Sequence, residues 1–290
     1  MSTVKIVGID GTNMHRGQSY INVVHDLDVK RLLFATLGRD HQTVVDFAAD
    51  LKAHGGDPEQ VVHVCQDMSA AHANGVGMDL PNAQISYDRF HVVALAIEAL
   101  DKVRQAEMRD DPKAVAAALG TTDRKTIKGL IWDMRKNPDG WSVKQTNAMH
   151  GLQHSCVKRA RAWRLKMELR KVYAHATAAN DPLLAMKELK AWLRWARRSQ
   201  LEPFKKLART ITERIDAVVR GMTDNRSNAF VEAINGLLQQ AKRAARGFRA
   251  ASTVIAIAYL RMSNLKHLPV ASRVLMCPGK PRTLHSTRND

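Results

Sequence analysis

The strand-like segments of this chain all lie in its first 86 residues. Short runs rich in apolar and β-branched residues occur at 4–9, 19–25, 31–36, 60–65 and 83–86. Apolar residues at helical spacing predict a helix over 41–54, and Ser69 is a natural N-cap for a helix between the last two runs. Three strands followed by alternating helices and strands predict an α/β fold with a mixed sheet.

The chain beyond these strands is predicted to be helical. From 111 to 221 every segment has a helical pattern. The last helix of this stretch is predicted to start at Pro203, because proline is favoured in a first turn, and to run to Arg220 with Gly221 as its C-cap. One more helix is predicted over 252–266.

The positive charge is concentrated in the later part of the chain. The formal net charge is +17, but residues 1–120 contain 11 Lys and Arg against 16 Asp and Glu. The remaining residues contain 34 Lys and Arg against 12 Asp and Glu. This distribution favours a polyanionic partner, most often nucleic acid, over a merely soluble basic surface.

The three cysteines, Cys65, Cys156 and Cys277, are widely separated and form no CxxC pair. They indicate neither a disulfide framework nor a zinc finger, so we expect a reducing compartment and no disulfide-linked partner. No signal peptide and no apolar run of membrane-spanning length is recognisable. The sequence therefore predicts a cytoplasmic protein without a membrane partner.

Glu232 is the only carboxylate side chain between Asp224 and Asp290, in a stretch that holds eleven Lys and Arg. Helical spacing puts Phe230 and Ile234 on an apolar stripe. The polar stripe of the same helix contains Asn228, Glu232, Asn235, Gln239, Lys242, Arg246 and Arg249. An acid at the start of a basic row can hold a metal ion while the cations neutralise phosphates.

Asp10 and Asp67 each follow a predicted strand of the α/β region. Carboxylates at neighbouring strand ends converge, and with Glu232 as a third ligand they can hold two divalent cations, Mg²⁺ or Mn²⁺, for phosphoryl transfer. Each acid also has a plainer explanation: a turn at Asp10, a helix cap at Asp67 and an exposed helical acid at Glu232. Asp26 and Asp28 compete with Asp10, but we expect both to lie solvated in a hairpin turn.

Several stretches of the sequence carry a family resemblance. They are VCQDMS at 64–69, LPNA at 80–83, YDRFHV at 87–92, KNP at 136–138, AWRLK at 162–166, TDNRSNAFVEAIN at 223–235 and AARGFR at 244–249. These stretches resemble the ISL3 group of insertion-sequence transposases, which belongs to the DDE superfamily. The similarity covers nearly the whole chain.

The resemblance implies a ribonuclease H-like fold, with a mixed sheet and flanking helices, interrupted by a large all-helical insertion. Its expected division has the first part of the core at 1–110 and the insertion at 111–221. The chain then returns to the core at 222–268 with the Glu232 helix, and a basic tail follows at 269–290.

The resemblance also places Asp10, Asp67 and Glu232 in the acid positions of the family. The implied activity is strand cleavage and strand transfer at insertion-sequence ends, dependent on Mg²⁺ or Mn²⁺. The implied partners are the element ends, the target DNA and further copies of the chain that pair two ends at the bacterial nucleoid. Alternatives are a structure-directed nuclease of the same fold, which cuts without joining, and a truncated DNA-binding remnant that modulates an intact transposase.

Three features depart from the family pattern. Gly11 follows the first acid where the family usually has Glu, and Met167 stands where an acid is common. Family members generally carry an N-terminal zinc-binding motif and a helix-turn-helix before the catalytic domain. This chain begins almost at the first catalytic strand, so we expect a catalytic domain without that DNA-reading part.

Four further residues are possible supports of the site. Asp88 and His91 match an acid and histidine that related DDE transposases often carry after the second catalytic acid. They either steady the site or contact DNA, or Asp88 simply caps a helix and His91 packs beneath it. Asn228 and Asn235 flank Glu232 on its polar stripe.

Two basic groups are candidates for binding the DNA backbone. They are the run Lys158, Arg159, Arg161 and Arg164, which continues through Lys166 to Lys171, and the group Lys242, Arg243, Arg246 and Arg249. Phosphate contacts of this kind are sensitive to salt and carry little sequence information. The alternative for the first run is a plain solvated helix face.

Overall fold

A five-stranded mixed sheet forms the N-terminal part of the protein. The computed structural model describes residues 1–13, 20–38, 40–154, 157–224, 236, 239, 240 and 251–263. The strands are β1 (Ile6–Asn13), β2 (Tyr20–Asp26), β3 (Arg31–Leu37), β4 (His63–Gln66) and β5 (Gln84–Tyr87). Their order in the sheet is β3-β2-β1-β4-β5. β1, β2 and β3 pair antiparallel, whereas β1, β4 and β5 pair parallel. The predicted α/β fold with a ribonuclease H-like mixed sheet is confirmed.

Helices cover both faces of this sheet. α1 (Gln42–Ala53) and α2 (Ala70–Asp79) pack on one face, where Phe47 and Leu51 meet strand residues such as Val7 and Ile9 in a shared apolar core. The helix α11 (Ala251–Met262) packs on the opposite face of β2 and β3. The Tyr259 hydroxyl accepts a hydrogen bond from the backbone N–H of Ala35 there.

Helices make up the described part of the chain from 89 to 223. They are α3 (Arg89–Asp110), α4 (Pro112–Leu119), α5 (Arg124–Arg135), α6 (Val143–His154), α7 (Lys158–Ala179), α8 (Pro182–Arg198), α9 (Glu202–Thr212) and α10 (Ile215–Thr223). Short 3-10 helices occupy Pro58–Gln60 and Pro138–Gly140. The helical pattern predicted for 111–221 is confirmed, while the division into core, insertion and tail stays a prediction.

The predicted single helix from Pro203 to Arg220 is wrong. Arg214 leaves helical geometry, with φ −129°, and separates α9 from α10. Gly221 is therefore not a C-cap but lies inside α10. A Cβ at this position would overlap the carbonyl oxygen of Tyr87. The glycine thus lets α10 lie directly against the backbone of β5, where Arg220 Nε also donates to the carbonyl of Ile85 at 2.8 Å.

The expectation for the hairpin acids is correct only for Asp28, which is exposed. Asp26 is buried, with 1% of its surface exposed. Its Oδ1 accepts hydrogen bonds from the backbone N–H groups of Asp28 and Val29, each at 3.1 Å, and its Oδ2 lies 3.6 Å from Arg31 Nε. Asp26 therefore stabilises the turn between β2 and β3.

None of the helices that the structure describes is both long enough and apolar enough to span a bilayer.

We predict that acid weakens the fold through His25. This histidine of β2 is completely buried, and burial lowers its pKa from 6.5 to about 4 although the Arg31 backbone partly opposes the shift. The folded state binds this proton at lower pH than the unfolded state does. The contribution of neutral His25 to the free energy of unfolding is therefore complete above pH 6.5 and declines as the pH falls towards 4. The loss is about 3 kcal/mol, at about 1.4 kcal/mol per pKa unit.

Urea unfolding across this pH range measures the effect. The decline should be clearly shallower in His25→Gln, which binds no proton, and unchanged in His54→Gln, because His54 is exposed. Equal slopes for the wild type and His25→Gln would contradict the prediction.

We also predict that Gly221→Ala destabilises the protein by about 2–3 kcal/mol, since the added methyl group forces α10 away from β5. Gly77→Ala is the matched control, because Gly77 is also helical and a Cβ there meets nothing within 4 Å. Its free energy of unfolding should stay the same or rise by up to about 1 kcal/mol. Equal melting temperatures for the two variants would refute the close packing.

Candidate active site

Asp10 and Asp67 lie side by side on neighbouring parallel strands. Ile9 of β1 pairs with Gln66 of β4, and the two acids are the next residues of each strand. β1 continues to Asn13, so Asp10 lies within its strand and not at the end as the sequence suggested. Both side chains are largely buried, with 6% of Asp10 and 8% of Asp67 exposed. The structure thus brings the two predicted acids together.

Asp88 is a third acid in the same row. Tyr87 of β5 pairs with Gln66, so Asp88 follows β5 as Asp67 follows β4. Its backbone N–H donates to the carbonyl of Gln66 at 3.0 Å, and its Oδ1 accepts from the N–H of Phe90 at 3.2 Å. The predicted N-cap is confirmed, and the cap lies beside the two predicted ligands.

His91 lies in the first turn of α3, next to Asp10. Its Nε2 is 3.6 Å from Asp10 Oδ1, and about a third of the side chain is exposed, 34%. The capping contact of Asp88 turns α3 so that this imidazole faces the acids. His91 therefore borders the site and is not simply packed beneath its helix.

His72 is a residue of the site that sequence reasoning missed. Its Nδ1 lies 3.4 Å from Asp67 Oδ1, and the side chain is completely buried. Ser69 caps α2 by accepting from the N–H of His72 at 3.4 Å, and its own N–H donates to Asp67 Oδ1 at 3.0 Å. A capped helix directly after a strand brings its third residue back towards the strand end, and that signal was present in the sequence.

The two central acids have opposite pKa shifts. Burial raises the pKa of Asp10 above its usual value, and the negative charges of Asp67 and Asp88 add to this, although His91 and the Gly11 N–H oppose it. Burial also tends to raise the pKa of Asp67, but the contact with His72, the Ser69 N–H and the charge of His91 outweigh it, so the net shift is downward. The site therefore favours the ionised form of Asp67 and disfavours that of Asp10.

A cavity of about 410 Å³ opens beside Asp67. Its wall includes Asp67, Ser69, His91 and Glu98, together with Thr210 of α9. Asp67 is therefore reachable from solvent through this cavity.

Several predicted residues lie outside the described part of the chain. They are Glu232, Asn228, Asn235, Lys242, Arg243, Arg246 and Arg249. Within the described residues, no group of three or more His, Cys, Asp and Glu side chains could hold a metal ion. Glu232, the predicted third ligand, is among the residues that the structure does not describe.

The basic run of α7 is divided between the surface and the interior. Lys158 is exposed, and Arg161 and Arg164 are partly exposed. Arg159 has only 1% of its surface exposed, and its Nε is 2.6 Å from Glu107 Oε2. The prediction that Arg159 contacts DNA is therefore wrong, because its charge is neutralised inside the protein.

Lys166 of the same run is also buried. Its Nζ donates to the carbonyl of Met134 at 2.5 Å and to those of Arg135 and Lys136 at 3.3 Å. Burial lowers its pKa to about 8, and the charge of Arg170 adds to the shift. Lys166 therefore anchors the end of α5 to α7 and is not part of the basic surface.

The chain is similar in sequence to known insertion-sequence transposases. The chain is 28% identical over 278 residues to the transposase for insertion sequence element IS1557 of Mycobacterium tuberculosis, which covers 91% of this chain and 61% of the relative. It is 25% identical over 252 residues to the transposase for insertion sequence element IS1001 of Bordetella parapertussis, which covers 86% of this chain and 58% of that relative. The chain thus spans about three fifths of the length of these relatives.

The ISL3 family of DDE transposases, described as "Transposase", matches residues 7–258. This range starts in β1 and ends in α11, so it includes Asp10, Asp67 and Asp88. The chain belongs to the ISL3 family of DDE transposases.

Proposed function

We propose that this chain catalyses metal-dependent DNA strand cleavage and strand transfer at the ends of an insertion sequence. The observation that carries the proposal is the pair Asp10 and Asp67, level on adjacent parallel strands and both largely buried. Membership of the transposase family supports it independently. Two carboxylates in this position are suited to phosphodiester chemistry, because they can hold cations against a DNA backbone.

The proposed ligands of two Mg²⁺ or Mn²⁺ ions are Asp10, Asp67 and Glu232. The donor set fits these ions, since carboxylate oxygens suit hard cations. Burial raises the pKa of Asp10, and the negative charges of Asp67 and Asp88 add to the shift. When bound, the ions supply Lewis acidity and lower the pKa of a coordinated water or 3′ hydroxyl. His72 keeps Asp67 ionised and oriented.

Asp88 and His91 are proposed to support this site from the start of α3. Asp88 fixes the helix by its cap, and His91 offers a partly exposed imidazole beside Asp10. An imidazole in this position can donate a hydrogen bond to a phosphate oxygen next to the acids. Asn228 and Asn235 are proposed as further supports on the Glu232 helix.

The proposed DNA contacts are Lys158, Arg161 and Arg164 of α7, together with Lys242, Arg243, Arg246 and Arg249. The net charge of +17 supports a DNA partner. Binding through phosphates is expected to be weakly specific and to fall steeply with salt. Pairing of two element ends would require more than one copy of the chain, acting at the bacterial nucleoid.

We predict that Asp67→Asn abolishes metal-dependent cleavage of element-end DNA, with a loss on the order of 10³-fold, because several kcal/mol of transition-state stabilisation depend on the metal ligands. Asp28→Asn is the matched control, since it removes an exposed acid from the β2–β3 turn. It should cleave like the wild type. Gel analysis of an end-labelled duplex with Mn²⁺ measures both variants.

Insertion of a pre-cleaved end into a target plasmid separates this function from its rivals. A transposase joins the end, whereas a nuclease of the same fold cuts and leaves it unjoined. If Asp67→Asn and the wild type were equally inactive in both assays, the chain would be a non-catalytic DNA-binding protein.

We further predict that His72→Leu weakens Mn²⁺ binding about 10- to 100-fold, the usual effect of losing a group that orients a metal ligand. Loss of the imidazole lets burial raise the pKa of Asp67, so metal binding should also move to higher pH. Calorimetric titration at several pH values measures both effects. His54→Gln, an exposed histidine, is the control, and unchanged affinity in His72→Leu would show that the contact with Asp67 has no influence on metal binding.

A further inference from the structure

A second cavity of about 530 Å³ lies between α3 and α7. Arg89, Phe90, Val93 and Ile97 line it from α3, and Arg170 and Tyr173 line it from α7, with Asn137 at one side. Its volume lies within the range of small-molecule sites. It is a separate space from the cavity beside Asp67, but Ala94 of α3 contributes to the walls of both.

The charged side chains that line this cavity are both arginines. Arg89 is exposed and Arg170 is half-buried. Burial lowers the pKa of Arg170, and the positive charge of Arg89 adds to this, with Asp139 in partial opposition. Two guanidinium groups that repel each other across an apolar pocket would be stabilised by an anion between them.

The cavity wall also contains two buried polar atoms without a hydrogen-bond partner. Tyr173 has 1% of its surface exposed, and its hydroxyl oxygen has no partner. Asn137 Oδ1 is likewise buried without a partner. Buried polar groups are normally paired, so both atoms would gain a partner if the wall side chains turned to admit a ligand with hydrogen-bonding edges.

Residues that line this cavity are direct sequence neighbours of residues in the candidate active site. Arg89 and Phe90 directly follow Asp88, the capping acid beside Asp67, and directly precede His91, the histidine beside Asp10. A ligand on Phe90 therefore lies at the same helix start as Asp88 and His91. A DNA strand with a phosphate at the acids could place a neighbouring nucleotide here.

We propose that this cavity holds one nucleotide of the DNA strand that passes Asp10 and Asp67, with its base turned out of the stack. A base offers an apolar face to Phe90 and the aliphatic wall, and polar edges to Tyr173 and Asn137. Its phosphate meets Arg89 and Arg170. The inference rests on the proposed function, since it assumes DNA at the acids.

Fluorescence of 2-aminopurine tests the proposal with the full chain. The probes are 2-aminopurine deoxyriboside 5′-monophosphate, the same nucleoside without phosphate, and a short single-stranded oligonucleotide with one 2-aminopurine. We expect saturable quenching as the base stacks on Phe90, with the oligonucleotide bound most tightly and the nucleoside most weakly. Arg170→Gln should weaken binding of the monophosphate about tenfold, and Phe90→Ala should remove most of the quenching.

Lys190→Gln is the matched control, because it removes a positive charge from the exposed surface of α8, outside this cavity. Its affinity for the monophosphate should equal that of the wild type. Equal losses in Arg170→Gln and Lys190→Gln, or equal affinity for the nucleoside and its monophosphate, would overturn the site. Tighter binding of the free monophosphate than of the oligonucleotide would overturn the assignment to a DNA strand. Circular dichroism confirms that each variant is folded.

The failure of this inference and that of the proposed function can be told apart. Asp67→Asn should lose cleavage but keep quenching, because Asp67 does not line this cavity. Cleavage by the wild type without any quenching would sink the nucleotide site and leave the catalytic proposal standing. Quenching that depends on Arg170, in a chain that does not cleave DNA, would support the nucleotide site and contradict the catalytic proposal.

Discussion

The parallel register of β1, β4 and β5 is the constraint on which the rest of the site depends. It sets Asp10, Asp67 and Asp88 in one row, level with one another across the sheet. A shift of one residue would turn an acid to the other face of the sheet. Gly221 contributes to the position of β5, since the absence of a Cβ allows α10 to pack against the backbone of β5 at Tyr87.

The row of acids also determines the electrostatics of the site. Three carboxylates side by side in a buried position repel one another, and the protein offsets this unequally. His72 and Ser69 favour the ionised form of Asp67, whereas burial and its neighbours disfavour that of Asp10. A divalent cation would compensate the remaining negative charge, which is why the arrangement suits metal-dependent chemistry.

Positive charge in this chain has more than one use. Arg159 is paired with Glu107 in the interior, and Lys166 donates to three backbone carbonyls at the end of α5. Arg170 and Arg89 instead line the cavity between α3 and α7. Charge density along a helix therefore overestimates its DNA-binding surface, because long cationic side chains also satisfy buried acceptors.

The sequence alone determined the succession of strands and helices along the chain and the α/β class, and it singled out Asp10 and Asp67, because apolar periodicity and acids beside strands are local patterns. It did not determine that α9 and α10 are separate helices or that Asp26 is buried, since both depend on contacts between distant segments. Nor did the sequence interpretation single out His72, although the Ser69 cap directly after β4 was a signal for it; the contact of His72 with Asp67 depends on how α2 lies against β4. The tertiary structure decided which charges face solvent and which acids lie side by side, because burial and strand register arise only when the elements pack together.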